Sequence, residues 1–421
     1  MSGVAGQRPV LLVLASTYPR WQGDPEPGFV HELSKRLADR FRVIVLGPHA
    51  PGALPREVLG GVEVVRYRYA PERWETLVND GGIVTNLKLH RWKLLLVPGF
   101  VLMQAWWAWR LCRREKVDVV HAHWLIPQGL IAACLQLLPG RRVPFVVTSH
   151  GADLFALRGR VLQTLKRFVL RRAARATVVS HAMQEAAEML IEDLAKVAVI
   201  PMGVDLDGRF TPDPRVQRLS GEILFVGRLV EKKGLRHLIN AMSAVLRRFP
   251  DACLTIAGFG PQEAALKAQA DALGLSTAIR FVGAVPQSEL PIYYRRAALF
   301  VAPFVEAEDG DREGLGLVTI EAIACGCPVV VGDLPAVRDI VGSPEYACLR
   351  VPSADEAALA EAVIAVLSDP VGSAAIVSRL RAHLATRFDW CAVAHAYGEL
   401  LTRVSASPGT DRLPEESRGP V

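Results

Sequence analysis

The 421-residue sequence predicts an α/β protein of two domains, each a parallel sheet flanked by helices. Three observations lead there. The chain is too long for one ordinary core. Continuous apolar runs such as Val10-Leu11-Leu12-Val13-Leu14-Ala15 recur along it, as expected of strands buried on both faces. Stretches of helical period separate these runs, and strand–helix alternation builds parallel sheets. A composition of 51% hydrophobic and 22% charged residues is that of a globular chain, which sets aside fibrous and disordered classes.

The first half opens with a polar stretch, Met1 to Pro9, in which no signal peptide is expected. The Val10–Ala15 run is the first strand. A loop to Gly28 follows, then an amphipathic helix over Phe29–Ala38. Gly28 at the mouth of that helix lets a ligand reach backbone N–H groups, or simply completes a βα turn. Arg42–Gly47 and Val62–Tyr69 are the next strands, with 48–60 between them a Pro/Gly-rich loop and 72–87 irregular. Residues 86–114 form a helical region holding Trp92, Trp106, Trp107 and Trp109. Its most hydrophobic part, Leu94–Trp109, is shorter than the roughly 20 residues that span a bilayer and is interrupted by Pro98-Gly99. It reads either as a core helix or as a membrane-interface helix.

Val117–Trp124 is a strand leading into a loop with His121 and His123, and Phe145–Ser149 is a strand ending in His150-Gly151-Ala152-Asp153. Polar residues at the carboxyl ends of parallel strands are where such sheets bind ligands. Arg158–Ala174 is a basic helix that includes Lys166 and reads as a solvated face or as a guide for an anionic acceptor. Thr177–Ser180 and Val197–Ile200 are the last strands of this half. Pro201–Asp205 breaks the pattern, and Arg209–Ser220 is a polar linker.

In the second half, strands are expected at Glu222–Val226, Cys253–Ala257, Ile279–Val282, Leu299–Ala302 and Pro328–Gly332. Helices fill Leu235–Arg248, Glu263–Leu273, Ala357–Leu367 and Ser373–Arg387. The turn at Gly258-Phe259-Gly260 offers backbone N–H groups, or is only a tight turn.

Two stretches carry the chemistry. In Phe225-Val226-Gly227-Arg228-Leu229-Val230-Glu231-Lys232-Lys233-Gly234, a strand ends in a loop with cations before a helix, which presents positive charge to phosphate. In Glu313-Gly314-Leu315-Gly316-Leu317-Val318-Thr319-Ile320-Glu321, two carboxylates flank a Gly-rich turn, and carboxylates accept hydrogen bonds from hydroxyls. Diphosphate on one side and hydroxyls on the other describe a nucleotide sugar.

An Arg and a Lys five apart after a strand, followed by Glu-x7-Glu, resembles the family 4 retaining glycosyltransferases of GT-B fold. The resemblance implies two Rossmann-like domains facing across a cleft. An acceptor-binding domain would occupy 1–204 and a nucleotide-sugar-binding domain 205–387, with the last helix, about 388–404, returning to the first and 405–421 a disordered tail. It implies that Arg228 and Lys233 bind the donor diphosphate, Glu321 the ribose, and that His150 and Glu313 stand at the transferred sugar as the catalytic pair. Gly28, Gly258 and Gly316 would belong to the donor loops, and His123 and Asp153 to the acceptor cleft. Pro27-Gly28 stands where the family often has two glycines. The acidic loop at 304–312 is longer than the family pattern and shapes the sugar pocket or solvates a lid.

The activity implied is transfer of a sugar from a UDP- or GDP-sugar to a hydroxyl of a glycan or polyprenyl-linked acceptor, in cell-envelope or extracellular polysaccharide synthesis. No other cofactor and no metal is expected. His121-x-His123 lacks carboxylate partners, and Cys325-Gly326-Cys327 lacks a second pair. A phosphorylase, a sugar-nucleotide epimerase or a non-catalytic nucleotide-sugar binder on the same fold are the alternatives.

Charge is uneven. Residues 1–205 carry 27 basic and 17 acidic side chains, whereas the rest carries 22 and 26. The basic half fits an anionic partner such as a membrane surface, or a generically basic exterior; no nucleic-acid module is present. Seven scattered cysteines, most in apolar runs, fit core filling and a reducing compartment. The expected place is the cytoplasm, peripheral on the inner face of the cell membrane.

Overall fold

The computed structural model describes residues 8–24, 28–78, 82–139 and 142–406. Most of the expected tail, 407–421, and most of the N-terminal stretch, 1–7, lie outside the described residues. Two sheets form. The first contains β1 (Val10–Leu14), β2 (Arg42–Pro48), β3 (Arg56–Leu59), β4 (Val62–Tyr67), β5 (Val119–His123), β6 (Phe145–Ser149), β7 (Arg175–Val178) and β8 (Val197–Val199), in the order β3-β4-β2-β1-β5-β6-β7-β8. The second contains β9 (Leu219–Val226), β10 (Cys253–Ala257), β11 (Ile279–Gly283), β12 (Ala297–Ala302), β13 (Val329–Gly332) and β14 (Arg350–Val351), in the order β11-β10-β9-β12-β13-β14.

Every pairing is parallel except β3 with β4. The two sheets are Rossmann-like, and their central strands are the continuous apolar runs, with Leu11, Leu12 and Leu14 or Ile223 and Leu224 fully buried. In each, strand order reverses once, between β1 and β5 and between β9 and β12. Loops leaving the carboxyl ends on either side of such a reversal diverge and leave a crevice between them.

The strand β3, expected to be loop, is a polar edge strand with alternating exposure. It is joined to β4 by Gly60-Gly61, both at positive φ, where Leu59 pairs with Val62. That two-residue Gly-Gly connection is a hairpin signal hidden by the surrounding Pro and Gly content. The segment expected to be irregular up to Leu87 carries a helix, Gly82–Leu89.

Pro98-Gly99 does not interrupt its helix. Arg91–Leu96 is a 3-10 turn running into the α-helix Val97–Arg114, with Pro98 in the first turn, where its missing N–H costs nothing. The 24 residues Arg91–Arg114 are long and apolar enough, by length and composition alone, to cross a membrane. Here the segment is a layer of the first domain. Phe100, Gln104, Ala108 and Leu111 are buried against the sheet, and the Gln104 amide donates to the carbonyls of Ala15, 3.1 Å, and Leu46, 3.4 Å. Lys166 is also not part of a solvated face. It is fully buried and donates to the carbonyls of Leu154, 2.7 Å, and Leu157, 2.6 Å. Cys325 and Cys327 are buried, but Cys134, Cys348 and Cys391 are exposed, so core filling accounts for fewer of the cysteines than expected.

The last helix, Trp390–Ala406, lies on the first domain. The Tyr397 hydroxyl stands 3.3 Å from Thr177 Oγ1 and 3.4 Å from Thr148 Oγ1, and Arg40 pairs with Glu399 at 2.6 Å. Val204 donates its N–H to the Phe388 carbonyl at 2.8 Å, so the chain passes between the domains twice, side by side.

Gly234 ends the cation-bearing loop at φ +66, where a Cβ would sit 1.8 Å from the Pro303 carbonyl oxygen. Gly234→Ala should cost about 3 kcal/mol, from the left-handed conformation and the overpacking together. Differential scanning calorimetry reads this as a Tm lowered by several degrees, and an unchanged Tm would refute the close approach.

Candidate functional site

The second sheet supplies a charged half-site at its reversal point. The loop 227–234 leaves β9 and the loop 303–316 leaves β12. The two are tied together by the Val305 N–H to the Lys232 carbonyl, 3.0 Å, and by the Glu308 N–H to the Glu231 carboxylate, 3.1 Å. Lys233 Nζ donates to Glu313 Oε2 at 2.7 Å and lies 4.9 Å from the centre of the Phe304 ring; both charged side chains are about one-seventh exposed. Burial pushes the Glu313 carboxyl up, but the Lys233 and Lys232 ammonium groups outweigh it and hold Glu313 at about 2. Arg228 stands half-buried on the same loop.

Glu321 differs. It lies on the short helix Leu317–Ala324, 6% exposed, and accepts the Tyr294 hydroxyl at 3.0 Å with Gln287 Nε2 3.5 Å away. Burial dominates, and its carboxyl rises to about 7.

The first sheet supplies an aromatic half-site. His123 Nδ1 and His150 Nε2 are 3.0 Å apart, with the rings stacked at an interplanar angle of 11°. His121, one turn of the pleat earlier, bonds Thr148 Oγ1 at 2.7 Å and lies 4.2 Å, centre to centre, from His123. Burial lowers the pKa of all three: His121 and His150 fall to about 3 and His123 well below the ordinary value, so the cluster is neutral at physiological pH. Phe29, the first residue of its helix, and Trp124 pack on His150 at 4.9 and 5.1 Å.

The halves meet backbone to backbone. A Cβ on Gly314 would lie 2.9 Å from the His150 carbonyl oxygen, and one on Gly151, at φ +118, 3.3 Å from Gly314 Cα. The acidic loop is a strap between the domains. Asp309 pairs with Lys88, Arg158 Nη2 donates to the Gly310 carbonyl at 3.2 Å, Asp311 pairs with Lys232 at 3.1 Å, and Arg312 lies 4.2 Å over the Phe155 ring.

The structure therefore brings Arg228, Lys233, Glu313, Gly316 and His150 to the facing loops. Several of the other expected residues sit differently. Asp153 does not line the cleft. It is 3% exposed, with Oδ2 accepting from the Leu125 N–H at 2.7 Å and Oδ1 from Ser149 Oγ at 2.9 Å and the His150 N–H at 3.2 Å, so it positions the His150 loop. His123 is fully buried behind His150.

Gly258 does not offer its N–H to a ligand, because it donates to the Gly283 carbonyl at 2.7 Å. Its glycine requirement is steric: a Cβ would lie 1.8 Å from the Gly227 carbonyl oxygen. Gly28 has an ordinary φ of −87 and open space where a Cβ would go. Gly316, at φ +90, begins the Glu321 helix. Sequence reasoning passed over Tyr294, Gln287, Phe304, Phe29 and Trp124, which shape these pockets from helices and loops. The positions of Trp124 and Phe304 just after strand ends could have marked those two.

The Lys233–Glu313 pair can be tested without a substrate. Because folding lowers the pKa of Glu313 to about 2, its contribution is present above the ordinary 4.5 and is lost as pH falls towards 2. Lys233→Met, which leaves the carboxylate buried without that partner, should cost about 3 kcal/mol at neutral pH. Thermal unfolding should show the deficit shrinking in acid and partly recovered by adding Glu313→Gln. A deficit that is the same at every pH, and untouched by Glu313→Gln, would overturn the pairing.

Comparison with known proteins places this geometry. Residues 217–384 match the family described as glycosyl transferases group 1, and residues 29–207 match glycosyltransferase family 4. Glycogen synthase of Mycobacterium tuberculosis is 31% identical over 390 residues, covering 88% of this chain and 89% of that protein. Phosphatidyl-myo-inositol mannosyltransferase of the same organism is 32% identical over 395 residues, covering 90% and 94%. In fold, sucrose-phosphate synthase of Thermosynechococcus elongatus is similar at a TM-score of 0.76 and 22% identity, over 94% of this chain and 99% of that one. Two facing Rossmann-like sheets with cations at one reversal point and the matches over both halves agree, and the chain belongs to the family 4 glycosyltransferases of GT-B fold, enzymes that use nucleotide sugars.

Proposed function

We propose that this glycosyltransferase moves a sugar from a UDP- or GDP-sugar, with retention at the anomeric carbon and without a metal ion, to a hydroxyl of a glycan or lipid-linked acceptor. The observation that carries this reading is the Lys233–Glu313 pair at the mouth of the second sheet, facing His150. An entering diphosphate competes with Glu313 for Lys233, and Arg228 adds a planar fork suited to phosphate oxygens. As the bond from the anomeric carbon to the phosphate oxygen breaks and the acceptor oxygen bonds to that carbon, negative charge grows on the departing diphosphate, whose oxygen takes the proton that the acceptor hydroxyl gives up. Fixed cations are worth most at that moment. Glu313, ionised throughout the neutral range, takes hydrogen bonds from sugar hydroxyls. Neutral His150 meets the sugar as a hydrogen-bonding group and not as a charge. Glu321 receives the ribose hydroxyls. The matched relatives' names, one a glycogen synthase and one a phosphatidyl-myo-inositol mannosyltransferase, support a glycan or lipid acceptor, and the reading puts the reaction in envelope or polysaccharide synthesis on the cytoplasmic face.

Protection from thermal unfolding by UDP-, GDP-, ADP- and dTDP-sugars identifies the donor, and the anomeric coupling in the NMR spectrum of the product reads its stereochemistry. An inverted product, or a donor consumed only by orthophosphate or isomerised without an acceptor, would overturn the reading. Arg228→Ala and Lys233→Ala should each lower transfer by about two orders of magnitude or more while the protein stays folded, each contact being worth about 2–4 kcal/mol. Activity within a few-fold of wild type would remove them from the diphosphate site.

Glu321 gives a pH signature. Its raised value means that its contribution to stability is full below the ordinary 4.5 and is lost as pH rises through about 7. Ribose hydroxyls that donate to the carboxylate favour the ionised form, so affinity for the intact nucleotide sugar should rise from about pH 6 to about pH 8. Glu321→Gln should abolish that step, as read by titration calorimetry; a step that survives the substitution assigns the ribose elsewhere.

A further inference from the structure

The helix Val97–Arg114 is apolar on the face turned away from its own domain. Leu102 is 68% exposed and Trp106 45%; four residues apart, they share one face opposite the buried Phe100, Gln104, Ala108 and Leu111, and Leu95, in the 3-10 turn that leads into the helix, is 82% exposed. Trp92 and Leu94, in the preceding turn, are half exposed. An outer helix face in water is ordinarily rich in Lys and Glu. Between residues 81 and 114 there is not one Asp or Glu, whereas Lys88, Arg91, Arg110, Arg113 and Arg114 flank the stripe. Arg110 lies 5.5 Å over the Trp106 ring and Arg113 5.1 Å over Trp109, so cation and indole share one level. The segment before the stripe reaches the cleft: Lys88 pairs with Asp309 of the strap that ends at Glu313.

The occupant must therefore accept a two-turn apolar ridge edged by cations. A second copy meeting through the same face would set these guanidinium groups against their own images, since a two-fold interface pairs a patch with itself. An anionic bilayer matches both features: its interface takes indoles and leucines, and its headgroups take the arginines. We propose that this stripe docks the first domain on an anionic lipid bilayer, with the mouth of the cleft held near the headgroup plane. The inference stands on the exposed face and does not depend on which sugar or acceptor the site uses.

Co-sedimentation of the full chain with vesicles tests it, using phosphatidylcholine alone and phosphatidylcholine mixed with phosphatidylglycerol. Binding should require phosphatidylglycerol and weaken as salt is raised. Leu95→Ser with Leu102→Ser should lower partitioning about tenfold or more with the circular dichroism and Tm of wild type, because both side chains are already in solvent. Arg113→Glu with Arg114→Glu should remove the preference for the anionic vesicles. Slow hydrolysis of the donor by the same variants should stay at the wild-type rate, so that a failure of docking and a failure of the catalytic assignment are read separately. No binding to phosphatidylglycerol vesicles at low salt, binding unchanged in the Leu95/Leu102 variant, or a dimer in sedimentation velocity that the same variant disperses would each overturn the proposal.

Discussion

The close approach of Gly314 to the His150 carbonyl decides what this molecule can do. Each sheet alone has a crevice at its reversal point, but one holds charge and the other holds neutral rings. Only because no side chain stands at Gly151 or Gly314 do the two loops come to backbone contact and close a single site. The strap from Phe304 to Arg312 keeps that contact in register through Lys88 and Arg158 on one side and Lys232 on the other. Two of these are partly exposed ion pairs and the Arg158 contact is a hydrogen bond to a carbonyl, each individually weak, and the ion pairs are screened by salt. They are suited to a closure that must open again when product leaves.

Burial sets a different charge state for each group in the site. The three histidines lose their protons because burial in the low-dielectric wall disfavours a cation. Glu313 is buried as well, yet two ammonium groups keep it ionised. Glu321 accepts from a phenol and an amide and feels Arg209 and Lys233 less strongly than its own burial, so burial wins and its carboxyl rises to about 7. One kind of side chain thus serves in two ionisation states a short helix apart. The difference comes from which cations the neighbouring loop brings, not from the carboxylates themselves.

The helix Val97–Arg114 shows how one element reconciles packing with an outer apolar face. Gln104 satisfies two strand carbonyls from the buried side, which holds the helix on the sheet while Leu102 and Trp106 point outward. Phe100, Ala108 and Leu111 bury the same face as this anchor. With it, the outward face is specified as firmly as the inward one.

The sequence by itself determined the class of fold, because strands buried on both faces must be apolar throughout and their spacing left room for a helix between each pair. It also determined that the cations of the 228–233 loop would stand at a strand end, and that Glu313 and Glu321 would flank a Gly-rich turn feeding a helix, since a Gly-rich break after an apolar run has few other conformations open to it. It could not show that Asp153 turns inward, because a carboxylate after a strand looks the same whether it meets solvent or three donors of its own loop. Nor could it show that the Gly258 N–H is already taken by Gly283, that Lys166 is buried, or that Tyr294 lies beneath Glu321. Each of these depends on contacts between segments far apart in the chain. The edge strand at Arg56–Leu59 escaped for the opposite reason: with one side open to water it needs no apolar run, and only its Gly-Gly turn marks it. Tertiary structure alone decided which polar groups face the cleft and which serve the scaffold, because that choice is made by the neighbours that consume their hydrogen bonds.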